Sequence, residues 1–158
     1  MQDLQERFIL VIDPNPVHAQ VVQRVLIEGS GCDSQSDLPQ NHLEIVVSGE
    51  AAIDYLLQQG EYAQAPRPDL VLLDLELPKL ELSENDGYNI LTTIKTTPHL
   101  RQIPVIVFTE SDRSEDILRS YASQSNCYVV KMADLEQLSH TVKQIEAFWL
   151  GIVTLPLR

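Results

Sequence analysis

The sequence predicts an α/β protein: a five-stranded parallel sheet, doubly wound, with helices on both faces. Two observations carry this. Five short apolar runs, none longer than a strand, recur along the chain. Segments with apolar residues at helical spacing separate them and follow the last. Runs this short and this apolar suit strands buried on both faces. Parallel strands in turn need crossover helices, and those helices cover the sheet. At 158 residues the chain has the length of one domain able to bury its own core.

The first run, Phe8 to Ile12, stops at Asp13-Pro14-Asn15-Pro16, a turn signal. Val17, Val21, Val22, Val25 and Leu26 then recur at helical spacing, with Gly29 placed to end that helix. Gly31 to Asn41 is polar and reads as a loop. Leu43 to Val47 is the second strand, and Ser48 is positioned to cap a helix reaching Gln59, with Ile53, Leu56 and Leu57 inward and Gly60 closing it. Pro66-Arg67-Pro68 breaks the chain before Leu70 to Asp74, the central strand. A loop from Glu76 to Asp86 leads to a helix with Ile90, Leu91 and Ile94 on one face, ending before Pro98. Pro104 to Phe108 is the fourth strand. Ser114 is positioned to cap a helix holding Ile117, Leu118, Tyr121 and Ala122. Tyr128 to Val130 is the fifth strand, and Leu135, Leu138, Val142, Ile145 and Phe148 step along a final helix. Residues 1–148 form the domain on this reading, and 149–158 an apolar tail.

Charge and cysteine usage narrow the function. Lys and Arg number 11 against 23 Asp and Glu, a formal net charge of −12. That balance disfavours nucleic acid and anionic membrane surfaces as partners. Cys32 and Cys127 sit in no metal-binding spacing, so they read as reduced thiols and zinc is not expected. The first residues carry acids and no apolar leader, and no stretch has the roughly 18 apolar residues of a membrane span. A cytoplasmic location is the expectation.

In a doubly wound sheet, ligands bind beyond the carboxyl ends of the strands. The first strand ends at Asp13, the third at Asp74 and the fourth at Thr109, and the fifth is followed by Lys131. The fold brings these four to one edge. Two carboxylates there repel each other unless a hard cation sits between them, and Mg²⁺ takes one or two carboxylates plus phosphate oxygen and water. A carboxylate is also a competent nucleophile toward phosphorus, and Asp74 on the central strand is best placed for attack. Lys131 and the Thr109 hydroxyl are the groups to contact phosphoryl oxygens. Taken one at a time, each of these residues also has a plain reading: Asp13 and Asp74 as turn residues, Thr109 as a cap, Lys131 as a solvated lysine. Their joint placement at strand ends favours the chemical reading.

At these residues the sequence resembles the receiver domains of bacterial response regulators, over roughly residues 7 to 148. The resemblance rests on Leu-Leu-Asp74-Leu-Glu76-Leu-Pro78 with Asp86-Gly87 downstream, on Val-Ile-Val-Phe-Thr109, and on Tyr128-Val-Val-Lys131. It implies a flavodoxin-like fold with strand order 2-1-3-4-5. It further implies phosphorylation of Asp74 and Mg²⁺ held by Asp13, Asp74 and the Glu76 backbone carbonyl. Thr109 is the implied switch hydroxyl, Lys131 the lysine on the phosphoryl group, and Tyr128 the aromatic that moves with Thr109. The segment from Ile145 to Pro156, with Gln58 to Tyr62 and Pro66-Arg67-Pro68, resembles the single-domain partners of cyanobacterial phytochrome histidine kinases. That narrower group implies a phytochrome-type kinase as donor and a homodimer. From the residues alone, Phe148, Trp149, Ile152, Val153 and Leu155 either pack on the body or form a dimer contact.

The sequence also departs from the family pattern. Ile12 stands where receivers usually have an outer acid, which lowers the expected metal affinity. Glu76 and Glu110 place extra acids beside the pocket, and Leu80 to Asn85 lengthens the loop after Pro78. Met132 follows Lys131 where a proline is usual, which leaves the geometry of that peptide bond open. The expected function is therefore a response regulator that is the substrate and switch of a phosphorelay rather than an enzyme. A degenerate receiver that acts without phosphorylation is the alternative.

Overall fold

The structure is a computed structural model that describes residues 6–28, 40–77 and 86–157. Five strands, β1 (Arg7–Ile12), β2 (Asn41–Val46), β3 (Leu70–Leu73), β4 (Val105–Thr109) and β5 (Cys127–Val130), form one sheet in the order β2-β1-β3-β4-β5. Every pair is parallel, as the apolar runs and the family resemblance require. The helices are α1 (Pro16–Gln23), α2 (Gly49–Leu56), α3 (Gly87–Thr96), α4 (Ser114–Ala122) and α5 (Leu135–Ile145).

The alternating residues of the strands divide the core in two. Leu10, Ile12, Val71, Leu73, Val105 and Val107 meet Tyr55 and Leu56 of α2 and Ile90, Leu91 and Ile94 of α3. Ile9, Val11, Leu70, Leu72, Ile106 and Phe108 meet Val21 and Val22 of α1 and Leu138, Val142 and Ile145 of α5. Each fully buried Leu, Ile or Val among them contributes about 1.5 to 3 kcal/mol relative to exposure. Polar contacts tie β1 to the elements around it. Asp69, just ahead of β3, exchanges hydrogen bonds with the Phe8 backbone of β1 at 2.7 and 2.8 Å. The Arg7 guanidinium bonds Asn41 and the Leu150 carbonyl.

Several elements differ from the sequence reading. Asn41 belongs to β2 rather than to a loop, because its amide bonds the Leu26 carbonyl at 3.1 Å and fixes the strand's entry. Val47 lies beyond the strand and is 54% exposed. Val17 is also exposed; the first helix is capped by Asn15, and it passes at Arg24–Glu28 into a π-helical turn. Gly29, the expected stop, lies outside the described residues, as do Cys32 and the 80–85 insertion. Ser48 caps α2 as expected, but the helix ends at Leu56, because Gln58 as well as Gly60 adopts a positive φ. Ile53 and Leu57 are only partly buried.

The largest correction is α4. Ser114 is its first residue and caps nothing, and Leu118, Tyr121 and Ala122 face outward. Ser120 is its sole buried residue, because α4 lies beside the edge strand β5 instead of over the sheet. Leu135 and Phe148 at the ends of the last helix are half-exposed. Beyond Ile145 the chain continues without a break into a π-helical turn, Glu146–Ile152. Trp149, Leu150 and Leu155 pack on the core face shared by α1 and α5. Among the described residues no peptide bond is cis, so Lys131-Met132 is trans.

Gly87 opens α3 directly over the end of β3. A Cβ there would lie 2.5 Å from the Leu75 Cα and 3.0 Å from the Asp74 carbonyl oxygen. Only glycine lets the helix approach the backbone that carries Asp74. Gly87→Ala is expected to cost about 1 to 3 kcal/mol through forced overpacking, read as a lower urea midpoint. An unchanged midpoint would contradict this packing.

Candidate functional site

β1 and β3 run side by side in register, with Ile12 opposite Leu73. The residues that follow them, Asp13 and Asp74, therefore emerge together, and the Asp74 amide donates to the Ile12 carbonyl at 2.9 Å. On the other flank Thr109 pairs with Val130, and the Lys131 amide donates to the Thr109 carbonyl at 2.7 Å. Four residues from distant parts of the chain thus share one sheet edge because the register of neighbouring strands is fixed.

Their side chains meet at Lys131. Its Nζ donates to Asp13 Oδ2 and to Asp74 Oδ2, each at 2.7 Å, and lies 3.3 Å from His18 Nδ1. An ammonium has three donors, and these three acceptors occupy them. Lys131, Asp13 and Asp74 are all buried. Asn15 and Glu76 donate their backbone N–H groups to the remaining oxygens, Asp13 Oδ1 and Asp74 Oδ1, both at 2.9 Å. Each carboxylate is thus held by its own local turn on one side and by the shared ammonium on the other. Two carboxylates against one ammonium leave one negative charge unmatched within the triad.

Thr109 completes the pocket in a different way. Its Oγ1 is fully buried and has no hydrogen-bond partner, a state that costs about 1 to 3 kcal/mol. A ligand oxygen reaching this hydroxyl would recover that energy. Tyr128, expected to move with Thr109, donates its hydroxyl to the Ser111 carbonyl at 2.8 Å, and burial raises its phenol pKa. The Ser111 hydroxyl in turn donates to Asp116, which also accepts from Tyr88 of α3 and from Arg113. Arg119 of α4 stacks on the Tyr88 ring at 3.8 Å. A continuous polar chain therefore runs from Tyr128 through the β4–α4 connection to α3 and α4.

The sequence reading singled out Asp13, Asp74, Thr109 and Lys131, and the structure brings them together. Glu76 is exposed and reaches the site through its backbone. Glu110 leans toward α1, its Oε1 3.5 Å from His18 Nε2. His18 itself was not foreseen. The signal was present: His18, Val21, Val22 and Val25 share the spacing of one helix face, so a polar residue stood on a face that is otherwise apolar.

A family model described as the response regulator receiver domain matches residues 9–143. The chain belongs to this family. The receiver's relatives include response regulator Rcp1 of Synechocystis sp., 40% identical over 150 residues, covering 95% of this chain and 93% of that protein. Among solved structures, the phosphorylated cyanobacterial phytochrome response regulator RcpA matches this receiver with a TM-score of 0.83 at 40% identity, covering 97% of this chain and all of the other. The Mn²⁺-bound form of Rcp1 matches with a TM-score of 0.82 at 40% identity, over 96% of this chain and 99% of that one. The flavodoxin-like receiver fold and its 2-1-3-4-5 strand order stand as expected.

Asp116 gives the receiver a pH signature. Hydrogen bonds from Ser111, Tyr88 and Arg113 lower its carboxyl pKa from 3.8 to about 2. A depressed carboxylate stabilises the fold above its unfolded pKa, and the contribution fades as pH falls through the folded value. The urea midpoint of the native protein is therefore expected to drop more steeply between about pH 4 and pH 2 than that of Asp116→Asn. Parallel curves would contradict the network.

Proposed function

We propose that this response regulator accepts a phosphoryl group on Asp74 from a histidine kinase, with Mg²⁺ as the metal. The observation that carries the reading is Lys131 bonded at once to Asp13 and Asp74, beside the unpartnered Thr109 hydroxyl. In the transfer, an Asp74 carboxylate oxygen forms the new P–O bond. The donor's P–N bond breaks, and its electron pair leaves with the imidazole nitrogen of the kinase histidine. Lys131 and Thr109 contact the phosphoryl oxygens and offset charge that the carboxylates cannot. The chain acts as substrate and switch, not as an enzyme.

The donor set fits a hard cation. Asp13 and Asp74 present oxygen ligands only, with one unmatched negative charge, and the Glu76 carbonyl lies on the turn tied to Asp74. Among the described residues no three metal-ligating side chains converge. A cation that takes two carboxylates and one carbonyl needs no such cluster. When bound, Mg²⁺ supplies charge neutralisation and a template for the incoming phosphate. The Ile12 side chain is fully buried in the core and carries no oxygen, which keeps the expected affinity low.

The likeness to the cyanobacterial phytochrome response regulator RcpA supports a phytochrome-type kinase as donor. For output, the exposed Leu118 and Tyr121 of α4 and the exposed Phe148, Ile152 and Leu157 of the C-terminal segment support a homodimer over residues 149–158 and their surroundings, attached to the 1–148 receiver domain. The net charge of −12 supports protein partners over nucleic acid or membrane. No helix among the described residues is long and apolar enough to cross a membrane.

Incubation with Mg²⁺ and acetyl phosphate, or with a cognate kinase, is expected to add one phosphoryl mass to the native protein and none to Asp74→Asn. No added mass from either donor would sink the phosphorylation reading in favour of a degenerate receiver.

A further inference from the structure

We propose that His18 is a positioning residue for phosphoryl transfer: its ring holds Lys131 in place and links it to Glu110 at the mouth of the pocket. The proposal rests on Asp74 being the phosphoacceptor and deepens that reading. It stands on a buried ring with two defined neighbours. The His18 side chain is 8% exposed, with Nδ1 3.3 Å from Lys131 Nζ and Nε2 3.5 Å from Glu110 Oε1.

These two neighbours select one form of the ring. An ammonium has no acceptor, so the Lys131 contact requires a lone pair on Nδ1. The ring proton then sits on Nε2, where it faces the Glu110 carboxylate, and each contact fixes the tautomer the other needs. Glu110 directly follows Thr109. Through one ring, therefore, the ammonium and the strand end carrying the switch hydroxyl are tied together across the pocket.

The three acceptors on Lys131 fare differently during the reaction. Asp74 is the group that becomes phosphorylated, and Asp13 is a group that would hold the metal; both accept from Lys131 in the unphosphorylated protein. Both contacts must rearrange. His18 is the one hydrogen-bond acceptor the chemistry leaves unchanged, so it keeps the ammonium aimed while the other two move; the Phe108 ring, 5.6 Å from the ammonium, adds only a long contact without hydrogen-bond direction. A lysine carries four flexible side-chain bonds. Losing its constant hydrogen-bond acceptor lets the charge drift from the position where the phosphoryl oxygens arrive. Misplacement of about 1 Å at a reacting centre can cost on the order of a hundredfold in rate.

The test compares His18→Phe, which keeps the ring volume and removes both contacts, with His18→Gln, whose amide oxygen can accept from Lys131 and whose amide nitrogen can donate to Glu110. The readouts are the initial rate of phosphoryl uptake from acetyl phosphate with Mg²⁺ by intact-protein mass, and the urea midpoint as a control for folding. His18→Phe is expected to slow uptake about tenfold, while His18→Gln stays within about threefold of the native rate. A structural role alone would not produce rescue by glutamine. Should His18→Phe fail to fold, Glu110→Gln on the exposed side of the same link decides, with uptake slowed about twofold or more expected. Native-rate uptake by folded His18→Phe, or by Glu110→Gln where Phe does not fold, overturns the role of His18. So does a glutamine variant as slow as the phenylalanine one. A native protein that takes no label overturns the Asp74 reading and this proposal with it, an outcome distinct from the others.

Discussion

Two carboxylates can share the edge of this sheet because a buried ammonium lies between them. Removing one member of a buried ion pair typically costs about 3 to 5 kcal/mol, since the partner is left charged and without solvent. Asp13 and Asp74 come from adjacent strands, and without Lys131 they would face each other in a setting that water barely enters. The fifth strand places Lys131 there, bonded by its amide to the end of the fourth. Sheet order, strand register and the meeting of three charges are therefore one constraint. The same arrangement keeps the site poised: the triad is left one negative charge out of balance, and the Thr109 hydroxyl is left without a partner.

The route outward from the pocket follows from where the structure is thinly packed. α1, α2, α3 and α5 each bury an apolar face against the sheet, whereas α4 buries Ser120 alone. An element with so little apolar burial shifts at low cost in free energy. What holds it is polar: Tyr128 on the Ser111 carbonyl, Ser111 and Arg113 on Asp116, and Asp116 on Tyr88. In the proposed switch, a phosphoryl group that draws in Thr109 acts on this chain of hydrogen bonds, and the α4 surface responds.

Much of this was legible in the sequence, for physical reasons. Buried parallel strands must be apolar and short, so all five were visible, and the polar residues at four of their ends were the natural candidates for a site. The misreadings share a cause as well. Ile117, Leu118, Tyr121 and Ala122 have helical spacing, yet spacing fixes only that residues share a face. It does not say that anything covers that face, and beside an edge strand Leu118, Tyr121 and Ala122 stay exposed while Ile117 is only partly buried. The length of α2 was overestimated because a positive φ at Gln58, a residue that seldom adopts one, ended the helix before Gly60 could. Asn41 read as a loop residue because its hydrogen bond to the Leu26 carbonyl is a tertiary contact with no local signature. His18 stood in plain view on an apolar face, but its neighbours Lys131 and Glu110 lie far along the chain, and no local pattern connects them.

The most direct test of the central claim is chemical trapping of the phosphorylated residue. Borohydride reduces an acyl phosphate on aspartate to homoserine, so the phosphorylated protein is reduced, digested and sequenced by mass spectrometry. If Asp74 is the acceptor, homoserine is expected at position 74 and nowhere else, and only after phosphorylation. Homoserine at another acid such as Asp13, or at none, would contradict it.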